Sequence, residues 1–180
     1  MPLCAQIILA FLTVAAVVMA TQPFIHYWFG RPKIHIGFSD YSVIGGSVLI
    51  GEIRNEPITK GILKFLMISR DVAQDVVAFF TISGSGMNFS TPGAVLIKTQ
   101  PNVRAERDSL PASLFPATFV IAVVDYSNKQ VKLEDKMEPL ANGEYTVEVV
   151  VENEGTQYRS KMGLVVGQPQ NPLAYWKELN

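Results

Sequence analysis

The sequence predicts an all-β domain, an antiparallel sandwich or barrel, carried behind a single N-terminal transmembrane helix. Three observations predict it. Residues 2–20 (PLCAQIILAFLTVAAVVMA) are apolar but for Gln6 and Thr13. Beyond Lys33 the apolar residues come in short runs rich in Val, Ile, Phe and Tyr, separated by Gly, Pro, Asn, Asp and Ser at near-regular intervals, which is the pattern of short strands joined by turns. No helical periodicity of comparable strength interrupts those runs.

The helix comes first in the chain. From Met1 through Gly30 no side chain is charged when His26 is neutral, and the first cation is Arg31. About 20 apolar residues, each rising about 1.5 Å, cross a hydrocarbon core of about 30 Å. A soluble surface helix would need a polar face, and this one has none. Phe24, Tyr27, Trp28 and Phe29 follow the apolar run and are themselves followed by Arg31 and Lys33. Aromatic rings favour the headgroup zone and cations meet the phosphates, so Phe24, Tyr27, Trp28, Arg31 and Lys33 read as a membrane-interface collar and residues 1–30 as an anchor. A cleaved signal peptide ending near Val18, Met19 and Ala20 is the alternative. The collar, and the lack of basic residues ahead of the apolar run, favour a retained span. Both nearby cations lie after the span, so the positive-inside rule taken literally puts the domain in the cytoplasm. Small β domains on single spans are more often displayed outside, and the extracytoplasmic side is the expectation adopted.

With the anchor set aside, a chain of 180 residues leaves about 150, the size of one domain with one core. Residues 31–166 are assigned to it and 167–180 to a C-terminal tail. Fifteen Lys+Arg against 16 Asp+Glu give a formal charge of -1, without the clustered positive charge that a nucleic-acid surface needs. The sole cysteine, Cys4, lies in the apolar segment, so the domain has no disulfide, thiolate nucleophile or zinc-thiolate site.

Strands are expected at 33–38, 47–54, 62–69, 76–83, 94–100, 117–126, 130–134, 144–152 and 157–166, with a short helical turn allowed at 70–77. The clearest is 144–152, where Tyr145, Val147, Val149 and Val151 share one face and Thr146, Glu148 and Glu152 the other. Period-two alternation marks a strand half-buried over a core; Val150 breaks its polar face. Glu152-Asn153-Glu154-Gly155-Thr156 then reads as a hairpin in which Gly155 takes positive φ. A second hairpin turns at Ser127-Asn128-Lys129, between the apolar run from Phe119 to Val124, expected to be central, and Val131-Lys132-Leu133-Glu134, expected nearer an edge.

The segment Leu140-Ala141-Asn142-Gly143-Glu144-Tyr145 resembles the Leu…Gly-x-Tyr corner of immunoglobulin-like and fibronectin-type-III-like sandwiches. In those folds the tyrosine opens the penultimate strand and its hydroxyl bonds back to the backbone a few residues upstream. The resemblance makes Tyr145 that residue and the domain an immunoglobulin-like antiparallel β-sandwich. Gly51-Glu52-Ile53-Arg54-Asn55-Glu56-Pro57 is similar to an early strand and turn of such domains. Without a cysteine pair or a core tryptophan an antibody-type domain is excluded, and the superfold implies scaffold, not activity.

Catalytic residues are sparse. His35 is the domain's only histidine, flanked by Ile34 and Ile36 on an expected strand, and it has neither a histidine partner for a metal nor a Gly-x-Ser-x-Gly elbow. Asp71 with Asp75, and Glu134 with Asp135 and Glu138, lack the dense alternation of a calcium loop. A non-enzymatic chain without cofactor or metal is expected. Met87 and Phe89, in what should be an exposed loop at 83–93, and Tyr175 and Trp176 in the tail are the candidate partner contacts. Asn88-Phe89-Ser90 also fits an N-glycosylation acceptor. In the connection 102–116, Leu110, Leu114 and Phe115 are expected to tuck against the domain, and the segment 172–176 to fold back on it. The expected function is a membrane-anchored module or accessory subunit that contacts the lipid bilayer and binds a protein partner. The alternative is a carbohydrate- or envelope-polymer-binding module using Tyr158, Tyr175 and Trp176.

Overall fold

The computed structural model describes residues 3–59, 61, 68–95, 97–100, 103–134, 138–167 and 173–179. Helix α1 (Leu3–Phe29) has 27 residues, about 40 Å at the usual rise, and none of them is buried. Its most apolar window has a mean hydropathy of 2.5, and it is long and apolar enough to cross a membrane. The two threonines, which would strand a hydroxyl in hydrocarbon, donate back along the helix: Thr13 to the Leu9 carbonyl and Thr21 to the Val17 carbonyl, both at 2.8 Å.

The remaining described elements are strands. One antiparallel sheet runs β1 (Ile34–Val43), β2 (Gly46–Asn55), β8 (Ala117–Asp125), β5 (Ile97–Gln100) and β6 (Val103–Ala105), with β9 (Gln130–Leu133) also on β8. The other runs β12 (Ala174–Lys177), β11 (Thr156–Val166), β10 (Gly143–Asn153), β3 (Ala73–Gly84) and β4 (Met87–Ser90), with β7 (Asp108–Leu110) also on β3. Each sheet turns its alternating apolar residues to a shared core: Leu49, Ile53, Phe119 and Ile121 from the first meet Phe80, Ile82, Val147, Val149 and Leu164 from the second. The Phe80 and Phe119 rings stack at 6.5 Å between centroids across the two layers.

The run from Phe119 to Val124 is central as expected, since β8 pairs β2 along one edge and β5 and β9 along the other. Its unbroken hydrophobicity has a local cause. Leu49 pairs Ala122 but Ile50 pairs Val120, so Ile121 is an extra residue that shifts the alternation. Ile121 and Ala122 are therefore both buried, while Val123 turns outward. Opposite Phe119 the partner on β2 is Gly51, and a Cβ there would lie 2.1 Å from the ring, so the ring packs flat on bare backbone.

Several elements differ from the expected pattern. Residues 73–77 belong to β3 and form no helical turn, because Ala73 and Val76 pair with β7 and are buried. The segment around Met87 and Phe89 is the hairpin strand β4. The candidate strand at 62–69 falls mostly outside the described residues, and Ile68 and Ser69 lie in no strand. The tail does fold back: Ala174–Lys177 pairs with Gly163–Val166 of β11. Its Trp176 indole N–H donates to the Ser39 carbonyl at 2.9 Å and its ring meets Phe38 at 5.0 Å, which stitches β12 to β1 across the sheets. The Tyr145 hydroxyl donates to the Ala141 carbonyl at 2.7 Å, the bond that the Gly-x-Tyr resemblance implies. At the β10–β11 turn Glu154 and Gly155 have φ of 49° and 77°, as a tight two-residue hairpin requires.

Candidate functional site at the two ends of the domain

Strand direction gives the domain two distinct ends. β1 begins beside α1 and runs ten residues away from it, about 33 Å. The end beside α1 also holds the close of β2, the start of β3 and the β10–β11 hairpin; the far end holds the β1–β2 and β3–β4 turns and the residues after β8.

The near end is a hydrogen-bonded junction. Asn55, 2% exposed, accepts the Lys33 N–H on its Oδ1 at 3.1 Å, and its Nδ2 donates to the Asp71 carbonyl at 2.8 Å and the Leu110 carbonyl at 3.0 Å. The Arg70 guanidinium donates to the carbonyls of Arg31 at 2.9 Å and Phe29 at 3.2 Å, and the Asp71 N–H donates to the Gly30 carbonyl. A helix C-terminus leaves carbonyls unpaired, and Arg70 takes up that of Phe29. None of these polar residues stands out in the sequence, because a single Asn or Arg carries no periodic signal.

The collar residues lie together at this junction. Phe24, Tyr27 and Trp28 are exposed around the last turns of α1, with the Tyr27 and Trp28 rings edge-to-face at 5.8 Å. The Arg31 guanidinium sits 4.6 Å over the Tyr27 ring. Lys33 turns aside to Glu56, with Nζ to Oε2 at 2.8 Å. The lysine, with smaller contributions from His35 and Arg70, holds the Glu56 carboxyl below its usual range despite some opposing desolvation. His35 is exposed, with Nδ1 3.9 Å from Glu56 Oε1. His26 lies 3.6 Å from Asp71. An open cleft between α1 and the β10–β11 hairpin is lined by Tyr27, Arg31, Asp71, Glu154 and Tyr158.

Two large apolar residues break the expectation here. Leu110 is buried, but Leu114 and Phe115 are 66% and 86% exposed. They do not tuck in because the Ser113 N–H is bound to the Asn55 carbonyl and the Ser113 hydroxyl accepts the Phe115 N–H, both at 3.1 Å. The loop is thereby held in a tight turn.

The far end carries a second apolar surface. Tyr41 pairs with Val48 and Val48 with Val123, forming a row across β1, β2 and β8 on the outer face of that sheet. Val43, Ile44 and Tyr126 extend it, Ile44 being fully exposed at the turn, and the Tyr126 N–H donates to the Gly45 carbonyl at 3.0 Å.

The partner contacts expected from sequence are placed differently. Met87, Phe89 and Trp176 are half-buried and pack on the core, Phe89 with its ring 6.2 Å from Phe80, and Tyr175 is half-buried next to Trp176 on β12, at the opposite edge of the sheet from β4. Asn88 is exposed on β4. Tyr158 pairs with Val151 near α1, whereas Tyr175 pairs with Val165, seven residues or about 23 Å further along β11. Tyr158, Tyr175 and Trp176 therefore form no common platform. Among the described residues no three His, Cys, Asp or Glu side chains converge as metal ligands.

Fold and junction together define a class: a helix able to span a membrane, joined by an ordered collar to a β domain of two antiparallel sheets. No protein-family model matches the chain, and no curated protein matches it.

Proposed function

We propose that the protein is a single-pass membrane protein whose immunoglobulin-like sandwich presents a protein-binding surface away from the bilayer. The observation that carries the reading is the exposed row of Tyr41, Val43, Ile44 and Val123 at the end of the domain opposite α1. Adjacent exposed apolar side chains of this size mark an interaction surface more often than chance exposure does. The immunoglobulin-like assignment is supported by strand order. β1-β2-β8-β5 against β11-β10-β3-β4 follows the order in which such domains arrange their two sheets, and Tyr145 occupies the corner on the penultimate strand of the β10–β11 hairpin. The partner is bound without catalysis, on the side of the membrane away from the cytoplasm.

Native gels of gently solubilised membranes test the binding surface. The unaltered protein should migrate in an assembly larger than one chain, and Ile44→Asp with Val123→Asp should release it as a lone chain without lowering its melting temperature. Migration as a lone chain before mutation would remove the reading. Protease added to sealed cells tests sidedness: cleavage of the domain is expected, and full protection would place it in the cytoplasm.

A further inference from the structure

The exposed pair at the near end has no role in binding a distal partner. Leu114 and Phe115 lie at the tip of a short loop bracketed by Pro111 and Pro116, and three linked contacts fix that loop beside the helix exit. The Ser113 N–H is held by the Asn55 carbonyl, Asn55 holds the Lys33 N–H, and the Asp71 N–H, on the residue whose carbonyl Asn55 also holds, binds Gly30. The loop thus shares the end of the domain from which α1 emerges.

A second observation brings that end against the side of α1. Ile68, which belongs to the domain, is buried beside α1 in a small apolar recess lined by Val18, Gln22 and Ile25. Val18 lies 11 residues before Phe29, about 16 Å back along the helix, inside the apolar stretch. If α1 spans the membrane, the domain therefore reaches back along its anchor past the Tyr27 and Trp28 collar.

From these placements we infer that the loop of Leu114 and Phe115 is a second membrane contact, inserting its two side chains into the bilayer interface beside α1. The occupant is lipid. Leucine and phenylalanine supply the apolar area that interfacial insertion uses, and the same end of the domain carries the aromatic collar, with the Arg31 guanidinium over the Tyr27 ring. The Ser113 turn and the flanking prolines hold the loop in place, so little conformational freedom is lost on insertion. Two contacts at one end orient the domain on the membrane, where the helix alone would leave it free to lean.

The inference rests on the membrane-spanning reading of α1, and the test separates the two. The full chain carrying Cys4→Ser, with one cysteine introduced at Phe115, Leu114, Ile44 or Val14, is labelled with an environment-sensitive fluorophore and placed in nanodiscs at one chain per disc. Val14 reports the span and Ile44 the far end. Labels at Phe115→Cys and Leu114→Cys should emit to the blue of the label at Ile44→Cys and be quenched by lipids spin-labelled near the headgroup. Val14→Cys should be quenched by deep labels. Quenching at Val14→Cys with 115 and 114 as open to aqueous iodide as 44 would overturn the second contact and leave the span standing. No lipid quenching at Val14→Cys would overturn the span and the inference with it. Shielding of 115 from iodide without lipid quenching, seen only when two chains share a disc, would assign the loop to a second copy and also overturn the inference.

Discussion

Among the described residues, Asn55 makes the most side-chain hydrogen bonds at the near end. Its three side-chain hydrogen bonds join Lys33 just before β1, Asp71 two residues before β3 and the end of β7, and it is nearly fully buried. Removing the amide strands three backbone groups, at about 1 kcal/mol each when a bond is simply lost and more when the group stays buried. Asn55→Ala should therefore destabilise the domain by about 3 kcal/mol. Tyr145→Phe loses one bond, to the Ala141 carbonyl, while the ring keeps its packing, so the cost should be about 1 kcal/mol. Thermal unfolding of the detergent-solubilised chain, followed by near-UV circular dichroism, ranks the two, and equal losses would contradict the weight given to Asn55. Sequence exposed these residues unequally. Tyr145 was legible because Gly143 and Leu140 precede it at a recognisable spacing. Asn55 was not, because its partners are backbone groups supplied by distant segments.

At the scale of elements, most strands were legible, even the four-residue β9, but β1 was foreseen only in its first half and β4, β7 and β12 not at all. β10 and β11 write their own alternation and were placed to within a residue or two, as was β2. β4, β7 and β12 are three or four residues long, and each is selected by the strand it pairs with. Edge strands of this kind can still hold the sheets together. Trp176 on β12 ties to Ser39 and Phe38 on β1, so Trp176→Ala should cost about 3 kcal/mol and expose the seam. Faster amide exchange in β12 and the adjoining half of β1, with β3 unchanged, is the expected signature. The lead from β1 into its neighbours adds a pH dependence. Because Lys33 holds the Glu56 carboxyl below its ordinary value of 4.5, the folded chain binds that proton less readily than the unfolded chain. The pair therefore stabilises the fold above about pH 4.5 and the contribution is lost as pH falls through the depressed value. Glu56 is partly exposed, so the effect is small. The difference in melting temperature between the parent and Glu56→Gln should be largest near neutral pH and vanish in acid; a difference that grows in acid would reverse the sign.

For the molecule as a whole, the junction decides whether the domain has one pose over the membrane or many. Leu114 and Phe115 were expected to tuck inward because hydrophobicity alone does not say which way a loop side chain turns; the Ser113 contacts decide it. The ordering of the helix exit is equally invisible in sequence, since nothing in Gly30-Arg31-Pro32 announces the Arg70 guanidinium on the carbonyls of Phe29 and Arg31. Ile68 shares a recess with Val18 and Ile25, and Asn55 holds the Lys33 N–H behind it, so a fixed pose of the domain on its helix is the expectation to test. The far-end surface then stands at a fixed height, because the ten residues of β1 set about 33 Å between the junction and Ile44. Electron–electron distance measurement between spin labels at Met19→Cys and Ile44→Cys, in a Cys4→Ser background, should give a single narrow distribution in nanodiscs. Arg70→Ala should broaden it while leaving the melting temperature of the β domain nearly unchanged, since Arg70 ties the helix exit and not the core. A broad distribution in the parent would mean that the domain swings on its anchor, and a partner would then meet the Tyr41 to Val123 row at no set height above the bilayer.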